Sequence, residues 1–171
     1  MIFTVGHSTR PQDELIAILK EAGVELLVDV RRFPGSRRHP QFGQEALRAG
    51  LGAAGIAYRH EPDLGGRRDP RPDSPNTAWR VAAFRGYADH IASREFQSAL
   101  ERLVAPPQIP TAVMCAEALP WKCHRQLIAD ALVARGVEVV HLLGPGQRQT
   151  HMLHPAAVGR PDGVVTYPGR R

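Results

Sequence analysis

The chain has 171 residues and two cysteines, and 43% of its residues are hydrophobic. This length and content are typical of a globular domain with a core of its own, and they exclude a disordered chain. No apolar stretch approaches the roughly 20 residues that a membrane helix needs, so we expect no membrane partner. The first residues show no basic segment followed by an apolar run and a cleavage site, and we therefore expect a cytoplasmic protein. In a reducing cytoplasm, two cysteines are better interpreted as thiols than as a disulfide scaffold.

The chain is basic, with 22 basic and 17 acidic side chains and a formal charge of +5. Only Lys20 and Lys122 are lysines, and the other basic side chains are arginines. Arginine suits bidentate contacts with phosphate or carboxylate, although a coding bias towards arginine explains the same excess. The charge therefore favours an anionic partner, either a small molecule or a nucleic acid.

The chain opens with two apolar runs, Ile2–Val5 and Leu26–Val30, which flank a segment of helical periodicity that ends at Gly23. A strand, a helix and a second strand predict a parallel pair. The same kind of pattern predicts a loop at 31–43, a helix at 44–54, a strand at 56–58 and a long irregular stretch at 61–75.

The second half continues the alternation of helices and strands. The pattern predicts helices at 78–91 and 94–104, a strand at 111–114, a helix that ends at Gly136, a strand at 137–142 and a short strand at 164–167. We therefore expect an α/β fold, with a mainly parallel sheet of about five strands and helices on both faces. The prediction is a single three-layer domain over 1–171, with its core over about 1–143 and an irregular tail over 144–171.

The segment Cys115–Arg125 holds both cysteines, a carboxylate, a histidine and an arginine between a predicted strand and a predicted helix. In open α/β sheets, ligands bind at the loops that follow the carboxyl ends of the strands. A thiol close to a helix N-terminus and to an arginine or histidine has a lowered pKa and is a candidate nucleophile. A small buried side chain at the end of a strand is the alternative for Cys115.

Two other strands carry polar residues to the same predicted edge. Gly6-His7-Ser8 follows the first strand, and Asp29 and Arg31 end the second. Because Asp29 and Arg31 flank Val30, they project to the same face of an extended chain, and mutual pairing is their simplest use. A free Arg31 would instead contact an oxyanion.

These placements predict the roles of individual residues. Candidates for catalysis are Cys115, His7, Glu117 and His124. Candidates for substrate binding are Gly6, Ser8, Asp29, Arg31, Ser36, Gly65, Gly66 and Arg125. For Arg125, pairing with Glu117 is an equally good alternative, because buried charges are normally paired.

Two other functions remain open. Cys115, Cys123 and His124 are potential zinc ligands, but an adjacent Cys and His in the first turn of a helix diverge by about 100°. The arginine-rich stretches at 31–32, 37–39 and 67–71, with Phe33, Phe42 and Tyr58 among them, are alternatively typical of a nucleic-acid-binding module. The residues indicate no cofactor and no oligomeric state.

Five motifs together resemble one known family. They are Thr4–Ser8, Asp29–Arg31 with Pro34 and Ser36, Leu64–Gly66, Cys115–Glu117 with Cys123–Arg125, and Val165–Pro168. This set is similar to the signature of the domain-of-unknown-function 488 family and extends over nearly the whole chain. The resemblance implies a bacterial or archaeal cytoplasmic α/β domain, and it implies no particular activity.

The sequence thus predicts a small α/β enzyme. We expect it to bind a phosphorylated or nucleotide-like anion at the carboxyl edge of the sheet, with Cys115 as a nucleophile or a redox thiol.

Overall fold

A six-stranded sheet forms the centre of the molecule. The computed structural model describes residues 1–35 and 37–169, and the strand order within these residues is β3-β2-β4-β1-β5-β6. The strands are β1 Ile2–Gly6, β2 Leu26–Asp29, β3 Ala57–His60, β4 Thr111–Cys115, β5 Val139–Gly144 and β6 Gln147–Thr150. All neighbours are parallel except β5 and β6, which are antiparallel.

Helices cover both faces of the sheet. In the described residues they are α1 Gln12–Glu21, α2 Gln44–Ala53, α3 Ala82–Ile91, α4 Arg94–Val104 and α5 Arg125–Ala134. Neighbouring residues of a strand pack into two separate cores, because successive side chains point to opposite faces of the sheet. Val28 and Val113 pack with α3, α4 and α5, whereas Leu27 and Ala112 pack with α1 and α2. The predicted α/β fold with three layers is confirmed.

The strand ends are aligned along one edge. Gly6 of β1 pairs in register with Cys115 of β4, and Asp29 of β2 pairs with Met114. The three central strands are almost wholly buried, which explains why they read as continuous apolar runs. The loops that follow β1, β2 and β4 therefore lie next to one another at this edge of the sheet.

The C-terminal segment is more regular than the sequence suggests. Strand β6 forms a hairpin with β5 through Gly146 (φ +66°), and β7 Val158–Gly159 pairs with β8 Val165–Thr166. Tyr167 is fully buried among the helices of one core. The irregular tail predicted over 144–171 therefore needs correction. β6 was missed because its residues are polar and exposed, as edge strands often are, and show no apolar alternation.

Other element bounds shift by a few residues. The helix predicted from 78 begins at Ala82, and the strand predicted at 56–58 lies at Ala57–His60. Within the described part of the chain, no helix is long and apolar enough to cross a membrane.

Candidate active site

The loop after β4 lies directly on the end of β1. The His7 amide donates to the Cys115 carbonyl oxygen at 3.0 Å, and the Ser8 amide donates to the Ala116 carbonyl oxygen at 2.9 Å. A Cβ on Gly6 would lie 1.8 Å from the Glu117 carbonyl oxygen. Only glycine therefore allows this approach of the two loops, which gives Gly6 a packing role, and its predicted contact with a substrate stays a prediction.

The two cysteines face each other at the end of β4. Their Sγ atoms are 2.9 Å apart, and the exposed fractions of the side chains are 2% for Cys115 and 8% for Cys123. Cys123 has extended backbone angles (φ −140°, ψ 153°) and precedes α5, so its predicted place in the first turn of that helix is wrong. In this conformation the Cys123 Sγ also lies 3.4 Å from Nδ1 of His124.

The surroundings of the two thiols make them unequal. Burial raises the pKa of Cys115, but the Cys123 thiol as donor and the charge of Arg125 outweigh it and lower that pKa to about 7. The pKa of Cys123 is raised well above its ordinary value by its hydrogen bond to Cys115 and by burial. Because the Cys123 thiol donates to the Cys115 sulfur, loss of one proton from the pair leaves the anion on Cys115.

Arg125 lies buried beneath this loop. Its side chain is fully inaccessible, and its Nη2 donates to the Ala118 carbonyl oxygen at 3.0 Å. Its Nε and Nη1 meet no acceptor among the described residues. Glu117 is exposed, and no ion pair with Arg125 is present among the described residues, contrary to the alternative that paired them. A buried guanidinium without a carboxylate partner is costly and rare.

Asp29 and Arg31 form the pair that their spacing predicts. Arg31 donates to the Asp29 carboxylate through Nε at 2.9 Å and through Nη2 at 2.8 Å. The Tyr58 hydroxyl donates to the same carboxylate at 2.6 Å, and Asp29 is fully buried. Asp29 thus positions Arg31 and does not reach the pocket surface as a substrate contact.

His7 completes this arrangement from the other side. Its Nδ1 lies 2.8 Å from the Ser8 carbonyl oxygen, its Nε2 accepts from Nη1 of Arg31 at 3.4 Å, and its ring stacks on Phe42. Burial lowers the pKa of His7 to about 4, with the charge of Arg31 acting in the same direction. A neutral imidazole with both nitrogens engaged is suited to holding Arg31 in place.

His124 is held by β2 and by α3. Its Nε2 lies 3.4 Å from the Val30 carbonyl oxygen, and its ring centroid lies 4.9 Å from that of Tyr87. Burial lowers the pKa of His124 to about 4. The ring is therefore neutral at physiological pH, and with Nε2–H directed at Val30 its Nδ1 is an acceptor that lies 3.4 Å from the Cys123 Sγ. A Cβ on Gly66 would lie 3.0 Å from that Nδ1, so the glycine leaves room for the ring.

A cavity of about 270 Å³ opens onto the two thiols. We call it the thiol pocket; its lining residues are Arg31, Arg32, Phe33, Gly66, Arg67, Cys115, Ala116, Glu117, Cys123 and His124. It continues into a wider space of about 850 Å³, the basic groove, whose further lining residues include His7, Ser8, Arg37, Arg38 and His39. A volume of this size accommodates a small molecule.

Two arginine loops meet at the mouth of the thiol pocket. Arg32 donates through Nη1 to the Arg67 carbonyl oxygen at 2.8 Å, and a Cβ on Gly65 would lie 2.7 Å from the Cβ of Arg32. Between them stands Phe33, which is 64% exposed, with the guanidinium carbons of Arg32 and Arg67 at 5.5 and 5.8 Å from its ring centroid. The mouth therefore combines two guanidinium groups with a largely exposed aromatic ring.

The model of the domain of unknown function DUF488 matches residues 11–132. The chain belongs to that family. The suspected membership is thereby confirmed, and the match includes Asp29, Arg31, Cys115, Cys123 and Arg125. Neither a curated protein nor a solved structure matches the chain.

Most residues predicted for the site do come together in this DUF488 domain. Arg31, Gly66, Cys115, Glu117 and His124 line the thiol pocket, and His7 and Ser8 line the basic groove. Gly6, Asp29, Gly65 and Arg125 lie behind these walls, and Ser36 lies outside the described residues.

Sequence reasoning missed the part that Phe33, Arg32 and Arg67 have in the pocket wall. The signals available were the Arg-Arg-Phe sequence directly after β2 and the Gly-Gly-Arg sequence at 65–67. Neither pattern says that the two loops touch, because that contact depends on tertiary packing.

The alternative metal site has little support in the geometry. Cys115, Cys123 and His124 are neighbours, but residues 1–35 and 37–169 contain no group of three His, Cys, Asp or Glu side chains that could hold a metal ion. Two thiolates at about 2.3 Å from one tetrahedral zinc ion stand roughly 3.7 Å apart. The observed 2.9 Å between the Sγ atoms suits a contact between the thiols themselves.

Proposed function

We propose that this protein is an enzyme that binds a phosphorylated or nucleotide-like anion in the thiol pocket and attacks it with the thiolate of Cys115. The proposal extends the α/β fold and the family membership, which do not identify a reaction. It also assigns the protein to the cytoplasm, where its two thiols stay reduced.

The buried guanidinium of Arg125 is the observation that carries this proposal. A fully buried cation needs an anion close to it, and its charge acts on both thiols. With no carboxylate paired to Arg125 among the described residues, the thiolate of Cys115 is the anion that balances it. A thiolate at the floor of a cavity is a nucleophile, whereas a neutral buried thiol is inert.

The walls of the pocket support an anionic substrate. Arg32 and Arg67 present guanidinium groups at the mouth, and the largely exposed ring of Phe33 lies next to both. Guanidinium groups bind phosphate in bidentate fashion, and an aromatic face stacks on a planar ring. Glu117 at the rim would orient the substrate, and His124 would take part in proton transfer.

The test of nucleophilic catalysis is the variant Cys115→Ser against a panel of phosphoesters, sulfur donors and nucleotides. We expect the wild type to turn over one class and the variant to lose that activity by about 1,000-fold or more, because the hydroxyl of serine stays protonated at neutral pH. The alkylation rate of the wild type with iodoacetamide should reach half of its maximum near pH 7.

The matched control is Ser98→Ala, which alters a serine of helix α4 remote from the pocket and should keep full activity. If the wild type turns over none of the panel and its thiols are alkylated with an ordinary pH profile, the enzyme proposal is wrong.

A nucleic-acid-binding role is the second candidate, and one observation favours it. The two arginine loops touch through Arg32 and Arg67 and expose Phe33, which together form a small basic surface with a stacking platform. Binding of single-stranded oligonucleotides should then weaken steeply between 50 and 200 mM salt, as expected for phosphate contacts. Absent or salt-independent binding would remove this candidate.

A further inference from the structure

We propose that Cys115 and Cys123 form a dithiol–disulfide couple that reduces the disulfide of a small anionic thiol, with Cys115 as the attacking and Cys123 as the resolving sulfur. This inference rests on the proposed function, because it takes the same nucleophile and the same pocket and names the reaction and the substrate class.

The placement of the two sulfur atoms is the first support. They are 2.9 Å apart, and a bond between them needs a length of about 2.05 Å, so less than ~1 Å of movement closes it. Both side chains line the thiol pocket, which gives a substrate access to the pair. The extended backbone at Cys123 belongs to a loop rather than to a helix, and a loop absorbs such a movement easily.

The second support is that the two thiols differ in which of them carries the proton and in the groups that contact them. The Cys123 thiol donates to Cys115, so in the resting enzyme the proton stays on Cys123 and the charge on Cys115. Nδ1 of His124 lies 3.4 Å from the Cys123 Sγ and is placed to accept that proton when Cys123 becomes the nucleophile. The Arg125 amide, at 3.5 Å from the same sulfur, stabilises the resulting thiolate.

The reaction proceeds by two exchanges. The Cys115 thiolate attacks one sulfur of the substrate R–S–S–R, a mixed disulfide forms, and the first R–S⁻ leaves and takes a proton from solvent. Cys123 then gives its proton to His124 and attacks the Cys115 sulfur, so that the Cys115–Cys123 disulfide forms and the second R–S⁻ leaves with the proton from His124. The protein loses two electrons and the substrate gains them, and an external dithiol returns the enzyme to its reduced form.

The pocket selects the substrate by charge and shape. Arg32 and Arg67 stand at the mouth, and Glu117 is the one acidic side chain among the lining residues. Phe33 adds a flat apolar face between the two arginines. We therefore assign the site to disulfides whose thiol carries a phosphate or carboxylate group, in preference to neutral or cationic ones.

The experiment compares three disulfide probes with the reduced full-length protein. They are 5,5′-dithiobis(2-nitrobenzoate), which is anionic, 2,2′-dithiodipyridine, which is neutral, and cystamine, which is cationic. Because the leaving thiols of these probes differ in intrinsic reactivity, each rate is divided by the rate of the same probe with free mercaptoethanol. We expect this relative rate to be at least about tenfold higher for the anionic probe than for cystamine at low ionic strength, with most of the difference lost at high salt.

Product analysis tests the role of Cys123. With the anionic probe, the wild type should release about two thiolates per chain and retain no adduct, whereas Cys123→Ser should release about one and retain it. Lys122 lies between the two cysteines, so trypsin separates them unless a disulfide joins the peptide that ends at Lys122 to Cys123-His124-Arg125. This readout uses the wild-type protein and does not depend on the folding of a variant.

The possible failures are distinguishable. If the wild type retains one adduct and yields no cross-linked tryptic peptide, or if cystamine and the anionic probe have equal rates relative to free mercaptoethanol, the inference is wrong. The proposed function survives that result as long as Cys115 is still alkylated with half of its maximal rate near pH 7. If Cys115 is not alkylated in that manner, the nucleophile itself is absent and both proposals fail together.

Discussion

Two buried polar regions of this protein differ in how completely their charged side chains are paired. Beside β5, the fully buried carboxylate of Asp130 interacts with Nε2 of His151 at 2.7 Å, the Tyr167 hydroxyl at 2.6 Å and the His154 amide at 3.1 Å. Behind the thiol pocket, by contrast, the fully buried Arg125 has one hydrogen-bond partner and two nitrogens without an acceptor among the described residues.

The two regions therefore have different roles: the group around Asp130 contributes to stability, and Arg125 acts on the two thiols. The group around Asp130 continues through His151 to His141, at 2.8 Å, so its polar atoms satisfy each other. It attaches the C-terminal segment to α5 and to the sheet, and a network of this kind contributes rigidity. An incompletely paired cation beside two thiols contributes little to stability, and its charge remains available to a thiolate.

The largest expected effect follows from breaking the satisfied region. Asp130→Ala removes the acceptor for His151, Tyr167 and His154 and should lower the free energy of unfolding by about 3 kcal/mol. Denaturant titration measures this loss. The alkylation rate of Cys115 in the folded variant should stay at the wild-type value, and a large change there would show that the two regions are coupled.

A smaller loss of stability is expected from adding a methyl group where β1 contacts the loop after β4. Gly6→Ala places a methyl group against the Glu117 carbonyl and should cost about 2 kcal/mol, because backbone must move on both sides. Gly52→Ala in α2 is the matched control: its Cβ meets nothing within 4 Å, and alanine should stabilise the helix by up to about 1 kcal/mol. Equal effects of the two variants in thermal unfolding would contradict this packing role.

Replacing the incompletely paired Arg125 should change the reactivity of Cys115 without lowering the free energy of unfolding. We expect Arg125→Met to raise the pKa of Cys115 by about one unit, since one charge that favours the thiolate is gone. The free energy of unfolding should be unchanged or raised, in contrast to Asp130→Ala, because an apolar side chain replaces a poorly paired buried cation. The pH profile of iodoacetamide alkylation gives the first quantity and denaturant titration the second; a destabilised variant with an unchanged profile would reverse our assignment of Arg125.

The smallest effect concerns the mouth of the pocket. Arg67→Gln removes one guanidinium group and should weaken the binding of adenosine monophosphate by about 1 kcal/mol, or roughly fivefold. The binding is measured as protection of Cys115 from alkylation by iodoacetamide. Arg160→Gln is the control, since Arg160 is exposed and paired with Asp162. Equal protection in both variants would remove Arg67 from the site.

Acid should weaken both regions together. The pKa values of His7 and His124 are lowered to about 4 and that of His141 to about 3, chiefly by burial. Between these values and 6.5 the unfolded chain binds more protons than the folded one, so stability is present above pH 6.5 and is lost as the pH falls. Denaturant titration at pH 7 and pH 6 should show a decrease of roughly 2 kcal/mol summed over the three rings, and equal stabilities would contradict the neutral, buried state of these rings.

The fold was predictable where residue pattern and burial agree. Strands β1, β2 and β4 are apolar along most of their length because both of their faces are covered, and the helices between them show a clear apolar face. Strand β6 was missed because an exposed edge needs no apolar residues. The start of α3 was placed too early, since nothing in the sequence before Ala82 marks the boundary sharply.

The sequence by itself determined which chemical groups gather at the carboxyl edge of the sheet. Gly6-His7, Asp29 with Arg31, and Cys115 with Glu117 follow buried strands, and parallel strands bring their ends together. Only the tertiary structure decided how the thiols and Arg125 are paired. The pairing of Asp29 with Arg31 followed from their spacing, but the approach of Cys123 to Cys115 and the lack of a carboxylate beside Arg125 did not. The physical reason is that hydrogen bonds and buried charges depend on distances of a few ångströms between loops, and no spacing along the chain specifies those distances.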